Sequence, residues 1–185
     1  MISAAPAQAH IAMSSPRPRS AAQKAGPCGA AGSARSANIT TYQPGETITV
    51  TWTETVDHPG HFRIAFDDDG TDGLLDPRQP TDNYPFTLVD RIADKVGGMY
   101  SQQVTLPTTP CANCTLQLMQ VMQVNAPYNS FYWQCADIVI AGDGGGDGTD
   151  PGDVDGGCST AGASTGSGAL LLIVAAVIGR RRRRT

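Results

Sequence analysis

The sequence predicts an all-β body, a small sandwich with long loops, joined through a disordered linker to a C-terminal transmembrane helix. Three observations carry this expectation. Apolar residues in the body alternate with polar ones at a period of two, and almost no stretch shows helical spacing. The apolar runs are short and are separated by turns containing Pro and Gly. After Ala141 the composition changes abruptly, first to Gly and Asp and then to uncharged apolar residues.

The clearest strand runs from Glu46 to Glu54, after a Gln43-Pro44-Gly45 turn. Ile48, Val50 and Trp52 share one face, and Thr47, Thr49, Thr51 and Thr53 the other. His61 to Phe66 alternates Phe62, Ile64 and Phe66, and it stops at Asp67-Asp68-Asp69-Gly70, where a long loop through Pro77, Pro80 and Pro85 begins. Asp90 to Lys95 is the one stretch suited to a helical turn. A short strand around Gln102 to Leu106 precedes Pro107 and Pro110. Cys114 to Val124 and Phe131 to Ile140 are two further apolar strands, joined by Asn125-Ala126-Pro127-Tyr128-Asn129. Short strands with these connections predict an immunoglobulin- or fibronectin-like sandwich. Glu54 and Arg63 read as solvated strand residues and receive no role.

The tail begins with residues 142–157, GDGGGDGTDPGDVDGG, too poor in apolar side chains to offset the entropy of ordering. Their Asp spacing is irregular and no Glu closes a calcium loop. Residues 158–185 follow: Cys158, an uncharged segment to Gly179, and the five arginines Arg180 to Arg184. Such a segment is just long enough to cross a bilayer, and the arginines stay on the cytoplasmic side, which places the body outside. Gly-Gly-Cys-Ser-Thr, an apolar helix and terminal arginines resemble the C-terminal sorting tails of myxobacterial surface proteins. That resemblance implies cleavage near Cys158 by a sorting protease, and display in the cell envelope or at the cell surface.

Export also needs a signal at the other end. Residues 1–9 end in Ala7-Gln8-Ala9, a good small-residue cleavage site, and are expected to be the remnant of a signal peptide whose start lies upstream. Cleavage after Ala9 would make His10 the first residue of a body spanning residues 10–141. Those roughly 130 residues suffice for one domain with a core. The formal net charge is −4. Without the five tail arginines, eight basic residues stand against 17 acidic ones, which disfavours nucleic acid as a partner.

Four cysteines lie in the body: Cys28, Cys111, Cys114 and Cys135. An oxidising compartment makes two disulfides the natural reading, and zinc a poor one, since Cys28 and Cys135 have no close companion. Three pairings are open. The expected one joins Cys114 to Cys135 across a hairpin and Cys28 to Cys111.

The three histidines are His10, His58 and His61. An N-terminal His10 offers its free amine and its ring Nδ1 to one metal, and a second histidine adds a third nitrogen. Three nitrogens in a plane suit Cu(II), whereas zinc prefers a tetrahedron. His58, in the turn His58-Pro59-Gly60, is the expected second ligand, with His61 as the alternate. At this point a resemblance becomes concrete. His10-Ile11 with Ser15-Pro16 and Pro18-Arg19, then His58-Pro59-Gly60, then Cys111-Ala112-Asn113-Cys114-Thr115-Leu116-Gln117, then Phe131-Tyr132-Trp133-Gln134-Cys135-Ala136-Asp137-Ile138 resemble, in order, segments of the lytic polysaccharide monooxygenases.

The resemblance implies a copper cofactor held by His10 and His58, and a catalytic-site Tyr132 on the axial face of the metal. Ser130 stands where that family often carries Gln or Glu. It further implies a chitin- or cellulose-like polysaccharide as substrate, an external electron donor, and oxidation of glycosidic C–H bonds. Export and sorting proteases, and the membrane through the tail, complete the expected partners. Two other readings stand beside it: an envelope copper-binding protein without oxygenase activity, and a glycan-binding sandwich with incidental histidines.

Overall fold

The computed structural model describes residues 10–123 and 126–141. The expected cleavage site at Ala9, the linker, Cys158, the apolar segment and the arginine cluster all lie outside the described residues. Among the described residues the regular elements are all strands, and no helix is long and apolar enough to cross a membrane.

The strands are β1 (Ile11–Ser15), β2 (Ile39–Tyr42), β3 (Thr47–Glu54), β4 (Gly60–Asp67), β5 (Thr87–Ala93), β6 (Gly98–Thr105), β7 (Cys111–Met122) and β8 (Phe131–Ile140). They form a three-stranded sheet in the order β1-β3-β6 and a five-stranded sheet in the order β2-β8-β7-β4-β5. The expected alternation is realised: Ile48, Val50 and Trp52 of β3 meet Phe62, Ile64 and Phe66 of β4 and Leu116 and Leu118 of β7 in one core. Both sheets contribute to that core, which makes the body a two-layer sandwich. Trp52, Phe62 and Tyr100 are its aromatic centre, with ring centroids 4.6 to 5.2 Å apart.

Residues 90–95 do not form a helical turn. Thr87–Ala93 is an edge strand, and the register runs from Phe62↔Ile92 to Ile64↔Val89, so three steps on β5 match two on β4. The extra residue is a bulge, with Arg91 at φ 53°. It lets Val89 and Ile92, three residues apart, both pack against the core.

The pairing of the cysteines also differs from expectation. Cys28 is bonded to Cys135 and Cys111 to Cys114. The reason is strand parity. Cys114 belongs to the inner core with Leu116 and Leu118, whereas Cys135 sits opposite Gln117 and faces outward, so the two thiols lie on opposite faces of the sheet. Cys135 instead meets the long segment between β1 and β2. That segment lines the edge of β8 through Arg19 N–H to Cys135 O at 2.7 Å and Trp133 N–H to Gln23 O at 3.0 Å. Its Arg19 reaches fully buried Asp137 at 2.6 Å and Asp72 at 2.7 Å.

Glu54 and Arg63 are not solvated: they are 3% and 1% exposed. Arg63 is paired with Asp90 at 2.9 Å on the outer face of the larger sheet. Glu54 continues the inward parity of Trp52.

Candidate metal centre

One end of the sandwich gathers His10, His58 and Tyr132. His10 immediately precedes β1, and its carbonyl accepts from Thr55 N–H at 3.1 Å, which extends the β1–β3 ladder to the site. Its backbone N–H donates to Gln23 Oε1 at 2.7 Å, and that same oxygen accepts from Ile11 N–H at 2.9 Å. Gln23 is buried and its own carbonyl is held by Trp133 N–H, so one side chain ties the start of β1 to the strand that carries Tyr132. Gln134 repeats the device two residues on, accepting from Met13 N–H at 2.6 Å.

His58 lies in the connection from β3 to β4. Gly60 must lack a side chain there, because a Cβ would collide with the Val121 carbonyl oxygen. Gln123 N–H donates to the Pro59 carbonyl at 2.8 Å, fixing the turn that carries His58.

The three rings are nearly parallel, with interplanar angles of 6° to 10°. Tyr132 stacks on His10 at 3.7 Å between centroids, His10 lies 5.0 Å from His58, and His58 lies 6.3 Å from Tyr132. The last distance is too short for a column, so the rings form a triangle. His10 Nδ1 and His58 Nε2 are both buried and have no hydrogen-bond partner among the described residues. A buried ring nitrogen without a partner is costly, and a cation between the two would satisfy both. Burial, then the nearby His58 and Lys24, lower the His10 pKa, favouring the neutral imidazole that ligates metals. The donor set thus fits a copper ion.

His61 is not part of this group. Strand parity turns it to the outer face of the larger sheet, where it is buried, with Nδ1 3.2 Å from Gln123 Nε2 and Nε2 3.5 Å from Asp90 Oδ1. Burial lowers its pKa, opposed by Asp90.

Two polar residues near the rings were not singled out from sequence. Gln120 is 1% exposed, sits opposite Tyr132 in the β7–β8 register, and donates from Nε2 to Glu54 Oε1 at 2.6 Å, while its own Oε1 has no partner among the described residues. A buried amide beside the tyrosine therefore comes from the neighbouring strand rather than from position 130. Glu54 Oε2 accepts from Tyr100 Oη–H at 2.9 Å and Gly97 N–H at 3.0 Å, and burial raises its pKa. The available signal was parity: both are polar residues at inward positions of apolar strands.

Fold and site together define an all-β sandwich protein with a two-histidine, one-tyrosine cluster at one end. The family model described as lytic polysaccharide mono-oxygenase, cellulose-degrading, matches residues 3–138, and the chain belongs to that family. Among solved structures, a lytic polysaccharide monooxygenase from Thermobia domestica in the Cu(I) state is 22% identical. The match covers 54% of this chain and 61% of that one at a TM-score of 0.35, so the chain spans about three-fifths of that protein's length. No curated protein matches.

Proposed function

We propose that this chain is an exported, surface-anchored, copper-dependent polysaccharide monooxygenase that oxidises glycosidic C–H bonds of an insoluble glycan. One observation carries the reading: among the described residues, His10 Nδ1 and His58 Nε2 are buried without partners on nearly parallel rings 5.0 Å apart. Maturation after Ala9 completes the set by converting the His10 amide nitrogen into a free amine. His10, through amine and Nδ1, and His58, through Nε2, would then hold the metal. When bound, copper supplies the one-electron chemistry that activates oxygen or peroxide against a C–H bond.

The chain's own residues do the rest. Gln23 holds the His10 nitrogen in place. Tyr132 covers one side of the His10 ring and excludes water from it. Gln120 presents a buried amide, anchored by Glu54, beside Tyr132. The tail, through processing at Cys158 and its apolar segment, keeps the body at the cell surface, and an external donor supplies electrons. Membership of a family described as cellulose-degrading supports a polysaccharide substrate of the cellulose or chitin type.

The decisive experiment determines the first residue of the mature protein and titrates it with copper under electron spin resonance. His10 at the terminus and an axial three-nitrogen spectrum, lost in His58→Ala, are expected. Any other first residue, or an unchanged spectrum in His58→Ala, refutes the site. Oxidised oligosaccharides released from cellulose or chitin with a reductant separate the enzyme from a copper carrier.

A further inference from the structure

The pairing of β4 with β7 runs out at the turn that carries His58. Its last register pair is Gly60 with Met122, and one bond beyond it, Gln123 N–H to the Pro59 carbonyl at 2.8 Å, closes the ladder over the turn. Proline fixes its own φ, and the residue before a proline is confined to extended backbone. Few soft torsions therefore lie between the Pro59 carbonyl and the His58 ring, so whatever holds that carbonyl also holds His58. The closing bond sits where a ladder frays: Gln123 is exposed and lies one residue past β7, and backbone hydrogen bonds at such ends open most readily.

The Gln123 side chain is tied down from the outer face of the sheet. Its Nε2 lies 3.2 Å from Nδ1 of His61, a residue only 4% exposed. The imidazole is arranged to accept there. Its Nε2 faces Asp90 Oδ1 at 3.5 Å, and Asp90 is itself fixed by Arg63 at 2.9 Å. Burial lowers the His61 pKa; Asp90 opposes this, while Arg63 and Arg91 reinforce it. A neutral ring whose proton is turned to the carboxylate leaves Nδ1 to accept from Gln123. His61 pairs with Val121 on one side and Ala93 on the other, where an apolar side chain would leave no buried polar atom to satisfy.

We propose that His61 is a positioning residue for the metal centre, acting from the opposite face of the sheet: it clamps Gln123, Gln123 holds the Pro59 carbonyl, and the turn so held presents His58 to His10. The consequence for copper rests on the function proposed above, whereas the clamp on Gln123 does not. His61 thus serves the site without touching the metal, through two contacts that end on the backbone next to a ligand.

The test compares the matured chain with His61→Leu, His61→Asn and Gln123→Leu. Asn sets an amide oxygen near the position of Nδ1, so it keeps the acceptor and loses the ring. Gln123 is exposed, so Gln123→Leu reports even where His61→Leu fails to fold. Copper affinity is measured by calorimetry, and protection of the Gln123 amide by hydrogen exchange in the copper-free protein. His61→Leu and Gln123→Leu should each weaken copper binding about tenfold and open the Gln123 amide to exchange, and combining them should add little. His61→Asn should recover most of both losses. Copper affinity unchanged in Gln123→Leu overturns the proposal. So does equal weakening in His61→Asn and His61→Leu, which would mean that the ring acts through packing alone. If the wild type binds no copper, the monooxygenase reading falls, and loss of Gln123 protection in His61→Leu still upholds the clamp while its retention refutes it.

Discussion

Asp137→Asn tests how the segment before β2 is held against the sheet and, through Gln23, how His10 is placed. Asp137 is fully buried and accepts from Arg19 Nη2 at 2.6 Å, Arg19 Nε at 3.0 Å and Ser36 N–H at 2.7 Å. Asn removes the charge and turns one acceptor into a donor that faces another donor. Breaking a buried, hydrogen-bonded pair costs about 3–5 kcal/mol. Arg19 keeps Asp72 at 2.7 Å, so the loss belongs at the lower end, about 3 kcal/mol. With a urea m-value of about 1.5 kcal/mol/M for a domain of this size, the midpoint falls by about 2 M.

Burial alone would raise the Asp137 carboxyl, but Arg19 and Ser36 overcome it and hold the pKa below the ordinary range. A folded pKa below the unfolded value gives stability that is present above about pH 4 and lost as pH falls through the folded value. The gap between wild type and variant must therefore narrow in acid. Urea unfolding followed by the fluorescence of Trp52 and Trp133 at several pH values measures it. A loss below about 1 kcal/mol at pH 7, typical of exposed pairs, would refute the argument, as would a gap that widens in acid.

Gln23→Ala leaves the His10 and Ile11 N–H groups without their shared acceptor, and copper affinity should fall about tenfold, measured by calorimetry on the matured chain. Gly60→Ala forces the β4 backbone off the Val121 carbonyl and should destabilise by about 2 kcal/mol in thermal unfolding, with weaker copper binding because His58 moves. Free copper at about 100 times its dissociation constant should stabilise the matured protein by about 2.7 kcal/mol. That gain should vanish with a chelator and be sharply reduced in His58→Ala, and a copper-independent melting temperature would contradict the site.

The fold was legible wherever a strand buries one face and exposes the other. Glu46 to Glu54 and Phe131 to Ile140 read correctly because a period of two is written directly into side-chain polarity. β1 and β2 are short, and β2 leaves Ile39 exposed, so neither has a pattern long enough to register. β5 lacks a plain period of two because its bulge leaves Val89 and Ile92, three residues apart, both packed against the core. The cysteine pairing differs from expectation for a related reason: Cys114 and Cys135 lie on neighbouring strands, but their thiols occupy opposite faces of the sheet.

By itself the sequence determined the all-β class, the family resemblance, and the histidines and tyrosine that gather at one end, since these follow from local residue types and periodicity. Ala9 and Cys158 are expected processing sites by the same kind of local pattern, and both lie outside the described residues. Only the tertiary structure decided which histidine joins His10, because parity sends His61 to the outer face while the turn closed by Gly60 leaves His58 beside His10. It alone showed Gln23, Gln120 and Glu54 as the buried polar support of the site, since their partners lie on other strands and segments. Long-range pairing is a property of register and packing, and register brings together residues that no local pattern connects.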